Sequence, residues 1–393
     1  MTDRLKVAIV GGGIGGLATA LFLHRRGIDA TVFEQAPELG EVGAGVMMTP
    51  NGRRPLEEVG LGPRIDGVKG TVSTGSTYYR MDGTKVGDIV TTDSAGWNGM
   101  CGIHRADLLF MLADAVPSEQ IRTGHRCNGV EQDDEGVRVH FENGETAEAD
   151  LVIAADGIHS VLRSVVTEPS APVYSGSVAY RGLIDADLLP DWPRDVSQLW
   201  MGEGKHFLVF PVRSGTMLNY VGFVPSDFEA LESWSAPGDS DQLRSAFAGW
   251  DPKVTGLLEQ VDRTYWWGLF DREPLQTWTK GRIALMGDAA HPMLPHLGQG
   301  ANQSIEDAAA LAMLLERSGR DGVLKTLRIY ESFRAERAGK VQLDARQNGL
   351  RYDSRYDDLA QRDREIASSA QLRYGLHDYD ITAETTRVLA ATS

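Results

Sequence analysis

The run Gly11-Gly12-Gly13-Ile14-Gly15-Gly16 lies between an apolar stretch at residues 7–10 and an Ala- and Leu-rich stretch that ends near Arg25. Glycines at this spacing suit phosphate binding. Gly11 permits a tight turn, Gly13 lets the backbone approach a pyrophosphate, and Gly16 lets a helix pack closely on a strand. The helix start turns its unpaired amides and partial positive charge toward the phosphates. Glu34 closes the next stretch, residues 30–33, where a carboxylate can accept both hydroxyls of an adenosine ribose. The unit is therefore expected to hold a dinucleotide. Two more acidic turns follow apolar runs. Asp156-Gly157 comes after residues 150–155 and leads into a helix start expected to end at Arg163. Gly287-Asp288 leads through His291-Pro292 to Gly298-Gln299-Gly300-Ala301-Asn302, at the start of a helix through Leu315. Either turn alone is common. No second GxGxxG unit appears downstream, so a stably bound second dinucleotide has no obvious site.

The runs that open into these turns read as short buried strands of a dinucleotide-binding domain that starts with the βαβ unit. The chain is long enough for it: 393 residues, 42% hydrophobic, which allows two domains with a full core. No apolar run reaches membrane-spanning length, and Met-Thr-Asp leads straight into the first strand, so a cytoplasmic protein is expected. The net charge of −16 disfavours nucleic acid and anionic membranes as partners. It also means that an anionic ligand needs locally placed cations. Cys101 and Cys127 lack CxxC or metal-type spacing and read as reduced, incidental thiols; no metal site is expected.

The glycine unit is joined by Gly40-Glu41-Val42-Gly43-Ala44-Gly45, His104-Arg105-Ala106-Asp107-Leu108, Asp156-Gly157, Asp271-Arg272-Glu273-Pro274 and Gly287-Asp288 with its downstream loop. In this order the segments resemble the single-component FAD-dependent aromatic hydroxylases, especially the salicylate, 3-hydroxybenzoate and 6-hydroxynicotinate hydroxylase branch, over nearly the whole chain. The resemblance implies FAD as cofactor and NADH or NADPH as transient co-substrate. It implies dioxygen chemistry through a flavin hydroperoxide, and a small phenolic or hydroxypyridine-type substrate with or without a carboxyl group. It places Glu34 on the adenosine ribose, Arg105 and Asp288 along the ribityl-pyrophosphate, Asp156 near FAD and the nicotinamide, and Gly300, Ala301 and Asn302 against the flavin ring. An epoxidase or Baeyer–Villiger-type monooxygenase would share these motifs, and a non-oxygenating flavin reductase is the alternative from another class.

The expected fold is α/β: a Rossmann-like FAD-binding domain interleaved with a mainly antiparallel substrate domain, and a helical C-terminus. The cofactor domain takes residues 1–70, 100–170 and 275–340, the substrate domain 71–99 and 171–274, and the C-terminal segment 341–393. Residues 206–211, 217–223 and 265–270 are short, aromatic and β-branched, as strands are. Trp266 and Trp267 must point to opposite faces, so at most one lines a cavity. A helix is expected over residues 329–350, with Arg334, Arg337 and Lys340 on solvated faces with Glu331 and Glu336. Residues 374–380 resemble the family's C-terminal signature, whose tail packs on the flavin domain and on subunit neighbours in a homodimer; no chemistry is assigned to it.

Hydroxylating a phenol requires its deprotonation, and histidine is the natural base near neutral pH. His206 aligns with a strand whose histidine sits by the substrate hydroxyl in the 3-hydroxybenzoate and 6-hydroxynicotinate enzymes. His296, next to Pro295, has a counterpart in the 6-hydroxynicotinate enzymes, and Pro295 is placed on the substrate side. His291 reads as structural or FAD-orienting. Phe210 stands where relatives often carry tyrosine, and it cannot donate the hydrogen bond a tyrosine would. Arg181 reads equally as a carboxylate anchor or as a structural cation beside the flavin.

Overall fold

The computed structural model describes residues 5–40, 44–168, 170–202, 204–226, 236–354 and 358–392. Glu41, Val42 and Gly43 of the second glycine motif lie outside them, as do residues 355–357.

Short apolar runs form the first sheet. Lys6–Val10 sits at its centre, paired in parallel with Asp29–Phe33 on one side and Leu151–Ala154 on the other. Ile283–Leu285 extends the sheet in parallel, with Ile121–Arg122 and Thr279–Lys280 at the edges. Helices Ile14–His24 and Gly300–Ser318 pack together on it, antiparallel strands Cys127–Gln132, Val137–Phe141 and Thr146–Ala149 pack on it as well, and strands so covered need no polar alternation, which is why they read as continuous hydrophobic stretches. The loops after three neighbouring strands thus open side by side: the glycine turn, Asp156-Gly157 and Gly287-Asp288. In open α/β sheets this carboxyl edge is where ligands bind.

The second sheet has eight strands in the order Ala236–Gly238, Thr264–Asp271, Val173–Asp185, Met217–Pro225, Lys205–Val212, Gln198–Gly202, Thr77–Arg80 and Lys85–Asp88. All pairings are antiparallel except that of Gln198–Gly202 with Thr77–Arg80. Period-two alternation splits its side chains. Phe207, Val209 and Tyr220 face a core closed by helices Ser240–Ala246 and Pro252–Glu259. His206, Leu208 and Phe210 face the other way, toward the first sheet. The paired tryptophans separate as the alternation requires: Trp266 stacks on Tyr180, and Trp267 joins the cavity wall.

The long helix runs Val323–Tyr352, beyond both expected ends. One expectation for it is corrected. Arg334 is fully buried, not solvated, with Nη1 2.5 Å from Glu306 and Nε 2.8 Å from Asp307. Glu331 is also recruited inward, accepting from the amides of Trp278 and Thr279. Lys340 is exposed and pairs with Asp344. The short helix after Asp156 begins, rather than ends, at Arg163 and runs Arg163–Val166. Cys101 and Cys127 are free and buried, and burial pushes both thiols up to about 11. No described helix is long and apolar enough to cross a membrane.

Candidate active site

The glycine turn is built as its spacing requires. Gly11 has φ +110°, and a Cβ there would lie 2.2 Å from the carbonyl of Ala155; a Cβ on Gly16 would lie 1.9 Å from the carbonyl of Gly11. Only hydrogen fits at either place. At Gly13 and Gly300, by contrast, a Cβ would meet no protein atom within 4 Å, so the space above them is left open. No side chain caps the first turn of Ile14–His24 or of Gly300–Ser318, and both helices leave amides available to a ligand. Glu34 holds the outer end of the turn: its carboxylate accepts from the amides of Gly12 at 2.7 Å and Ala36 at 2.8 Å.

These turns border a cavity of about 350 Å³ that runs from Gly13 past Arg105, Asp288, Gly300 and Ala301 to the inner face of the second sheet. Two uncapped helix starts, an open cradle over glycine, a cation and a carboxylate along one cleft fit a flavin dinucleotide. Buried polar groups lock the Gly287-Asp288 loop. Asp307 accepts from the Gly287 amide (2.9 Å), His291 Nε2 (2.6 Å) and Arg334 (2.8 Å), which makes His291 part of a structural network. Arg163 donates to the carbonyls of Asp288 (2.6 Å) and Ala289 (2.7 Å) and so ties the two acidic turns together.

Two expected cofactor residues sit differently. Asn302 is buried with its side chain spent on Thr49, Met47 and Gly298, so it offers the cavity no side-chain group. Asp156 does not line the cavity, although Ala155 and Gly157 do. Its Oδ2 accepts from the amides of Val161 and Leu162, its Oδ1 is buried without a partner, and burial raises its pKa.

On the substrate side, Arg181 lies over the ring of Trp267 at 4.5 Å and borders the cavity with Phe210 and Pro295. Phe210 is 3% exposed, and its ring edge leaves no room for a Cβ on Gly45 or Gly102. His206 and His296 are brought together, ring centroids 5.1 Å apart, but in a second compartment of about 60 Å³. Met47, Leu208, Phe223 and Pro295 wall both spaces. His206 stacks on Phe223, with Nδ1 2.8 Å from Asp353 Oδ1 and Nε2 buried without a partner. Burial, then the neighbouring His206, lowers His296 to about 3, so it is neutral at physiological pH. Asp353, Arg163 and Arg373 of this site carry no motif of their own; a loop acid or arginine far along the chain gives no signal of where it packs.

The FAD binding domain family model matches residues 4–344. The chain belongs to the FAD-dependent aromatic hydroxylases. It is 37% identical to 3-amino-4-hydroxybenzoate 2-monooxygenase of Streptomyces cremeus over 88% of this chain and 87% of that protein. It is also 37% identical to salicylate hydroxylase of Pseudomonas putida, over 89% and 87% of the two chains. A solved salicylate hydroxylase substrate complex superposes with a TM-score of 0.86 at 30% identity, covering 99% of this chain and 98% of that one. The chain is accordingly an FAD-dependent monooxygenase.

Proposed function

We propose that this hydroxylase oxygenates the ring of a small hydroxylated aromatic compound, with His206 as the base. The observation that carries the reading is the His206–Asp353 pair beside the main cavity. An Nδ1–H donated to a carboxylate leaves Nε2 as the lone-pair nitrogen, oriented and able to take a hydroxyl proton. Asp353 is the positioning residue. FAD, when bound, would supply the hydride-accepting and dioxygen-activating chemistry, with NADH or NADPH as the hydride source. Glu34, Arg105 and Asp288 would hold it, with Gly11, Gly13 and Gly16 shaping the turn and the first turn of Gly300–Ser318, including Ala301, favouring negative charge at its ring. Leu208, Phe223, Trp267 and Leu269 make the substrate wall apolar and exclude water. Arg181 adds a cation to that wall, while Asp156 and Asn302 serve by shaping the turns they cap.

The domain division anticipated from the motifs, with residues 1–70, 100–170 and 275–340 carrying the cofactor, belongs to this proposal, as do a cytoplasmic setting, supported by the two free thiols, and a homodimer. The direct test is oxidation of NADH and NADPH in the presence of hydroxybenzoates and hydroxypyridines, with hydrogen peroxide measured in parallel. Aromatic-stimulated oxygen uptake with little peroxide is expected; uptake indifferent to every aromatic overturns the reading.

Phe210 gives a further prediction. The space a Gly45 Cβ would occupy touches both the Phe210 ring tip and the side chain of Asn219, whose buried Nδ2 has no partner. Phe210→Tyr sets a hydroxyl there, and an added partner for a buried donor is worth about 0.5–1.5 kcal/mol. The variant is expected to keep FAD and to melt no lower than the wild type, while hydroxybenzoate affinity shifts relative to bulkier, less polar ligands. Parallel changes in the dissociation constants of both ligands would show that position 210 does not face them.

A further inference from the structure

The compartment behind Leu208, Phe223 and Pro295 ends on groups that proton removal does not use. Arg373, in helix Ala370–His377, is 7% exposed and borders it. Its Nη2 donates to the hydroxyls of Tyr352 at 2.8 Å and Tyr78 at 3.2 Å, and its Nη1 lies 3.5 Å from the carbonyl of Leu297. Among the described residues no carboxylate pairs with it; Asp353, the acid of this region, is taken by His206. Burial pushes Tyr78 well up, so its hydroxyl stays neutral. A guanidinium keeps its proton. The compartment therefore holds a buried positive charge answered only by hydroxyl and carbonyl dipoles, which is costly unless an anion completes it. His206, 1% exposed, borders the same compartment, and its unpartnered Nε2 is the base already assigned to the ring hydroxyl. A chain of net charge −16 that buries a cation in the compartment beside its main cavity has supplied local attraction that its overall field denies an anion.

We propose that Arg373, held by Tyr78 and Tyr352, is a specificity-determining residue: it receives a carboxylate on the substrate ring in the compartment that shares Leu208, Phe223 and Pro295 with the main cavity. The C-terminal helical segment thus completes the ligand site. This rests on the hydroxylase reading and narrows its substrates to aromatic acids over neutral phenols.

The test uses the FAD-loaded protein. Dissociation constants for 3-hydroxybenzoate and for its uncharged amide, 3-hydroxybenzamide, are read from flavin absorbance in the wild type, Arg373→Met and Arg373→Lys. The wild type is expected to prefer the carboxylate. Arg373→Met should lower that preference by about 10–100-fold, the worth of a charge-assisted pair, with amide binding and FAD content nearly unchanged, and Arg373→Lys should restore part of it. Should Arg373→Met fail to retain FAD, Arg373→Gln provides the same comparison. Equal weakening of both ligands, or an unaltered ratio, overturns the subsite. Oxygen uptake by the wild type separates the two readings: stimulation by neutral phenols as strong as by aromatic acids removes the subsite and leaves the hydroxylase, whereas no stimulation by any aromatic removes the hydroxylase.

Discussion

His206→Ala is expected to lower coupled hydroxylation by about 10²–10⁴-fold, the usual worth of a positioned acid–base group, with FAD content unchanged. His206 borders the second compartment and its Nε2 has no partner, while the ring is fixed by Phe223 on its face and Asp353 at Nδ1. Flavin reduction by NADH or NADPH should suffer less, because hydride transfer does not need the hydroxyl proton removed. Asp353→Asn should reproduce much of the loss. An amide that donates to Nδ1 would leave the proton on Nε2, the wrong nitrogen for a base. His296→Asn should cost less, since a histidine held at about 3 by burial stays neutral and is a weak base for the hydroxyl proton at neutral pH. Product formed per NAD(P)H consumed, with stopped-flow reduction rates, measures these separately. If His206→Ala keeps wild-type coupled turnover over about pH 6–9, the window in which a histidine base matters, His206 is a packing residue only.

Gly13→Ala and Gly16→Ala should fail in different ways. A methyl group on Gly13 meets open space in the protein, so the variant folds with a wild-type melting temperature as apoprotein and loses FAD, because the methyl stands where the backbone must approach the pyrophosphate. A methyl on Gly16 drives into the Gly11 carbonyl at 1.9 Å, a backbone atom that cannot swing aside. Overpacking of this kind costs about 1–3 kcal/mol or more, so Gly16→Ala should melt lower even before cofactor is added. FAD occupancy from absorbance and thermal unfolding of the apoproteins separate the two losses. A Gly13→Ala protein that is yellow at full occupancy would sink the assignment of the cradle.

The chemistry legible in the residues was of the local kind. Gly11, Gly13 and Gly16 announce a turn because the constraint lies within a few residues, and buried parallel strands announce themselves as unbroken apolar runs. The alternation that sent Trp266 and Trp267 to opposite faces is equally local. The chain order of the motifs, with no second glycine unit, was enough to set the family, the cofactor and the class of reaction.

What the tertiary structure decided is where charge is buried and what answers it. Arg334 looks from its neighbours in sequence like one more solvated helix cation; its partners, Glu306 and Asp307, come from another helix. Asn302 and Asp156 look equally available to a cofactor until packing occupies the side chain of the first and withdraws the second from the cavity wall. His206 and Asp353 stand 147 residues apart, and Arg373 reaches Tyr78 from a helix to which no chemistry was assigned. Residue type says that a group can ionise or hydrogen-bond. Whether water, a carboxylate or nothing in the chain meets that capacity depends on contacts between distant segments, and those exist only once the sheets and the long helix have closed around the cavity.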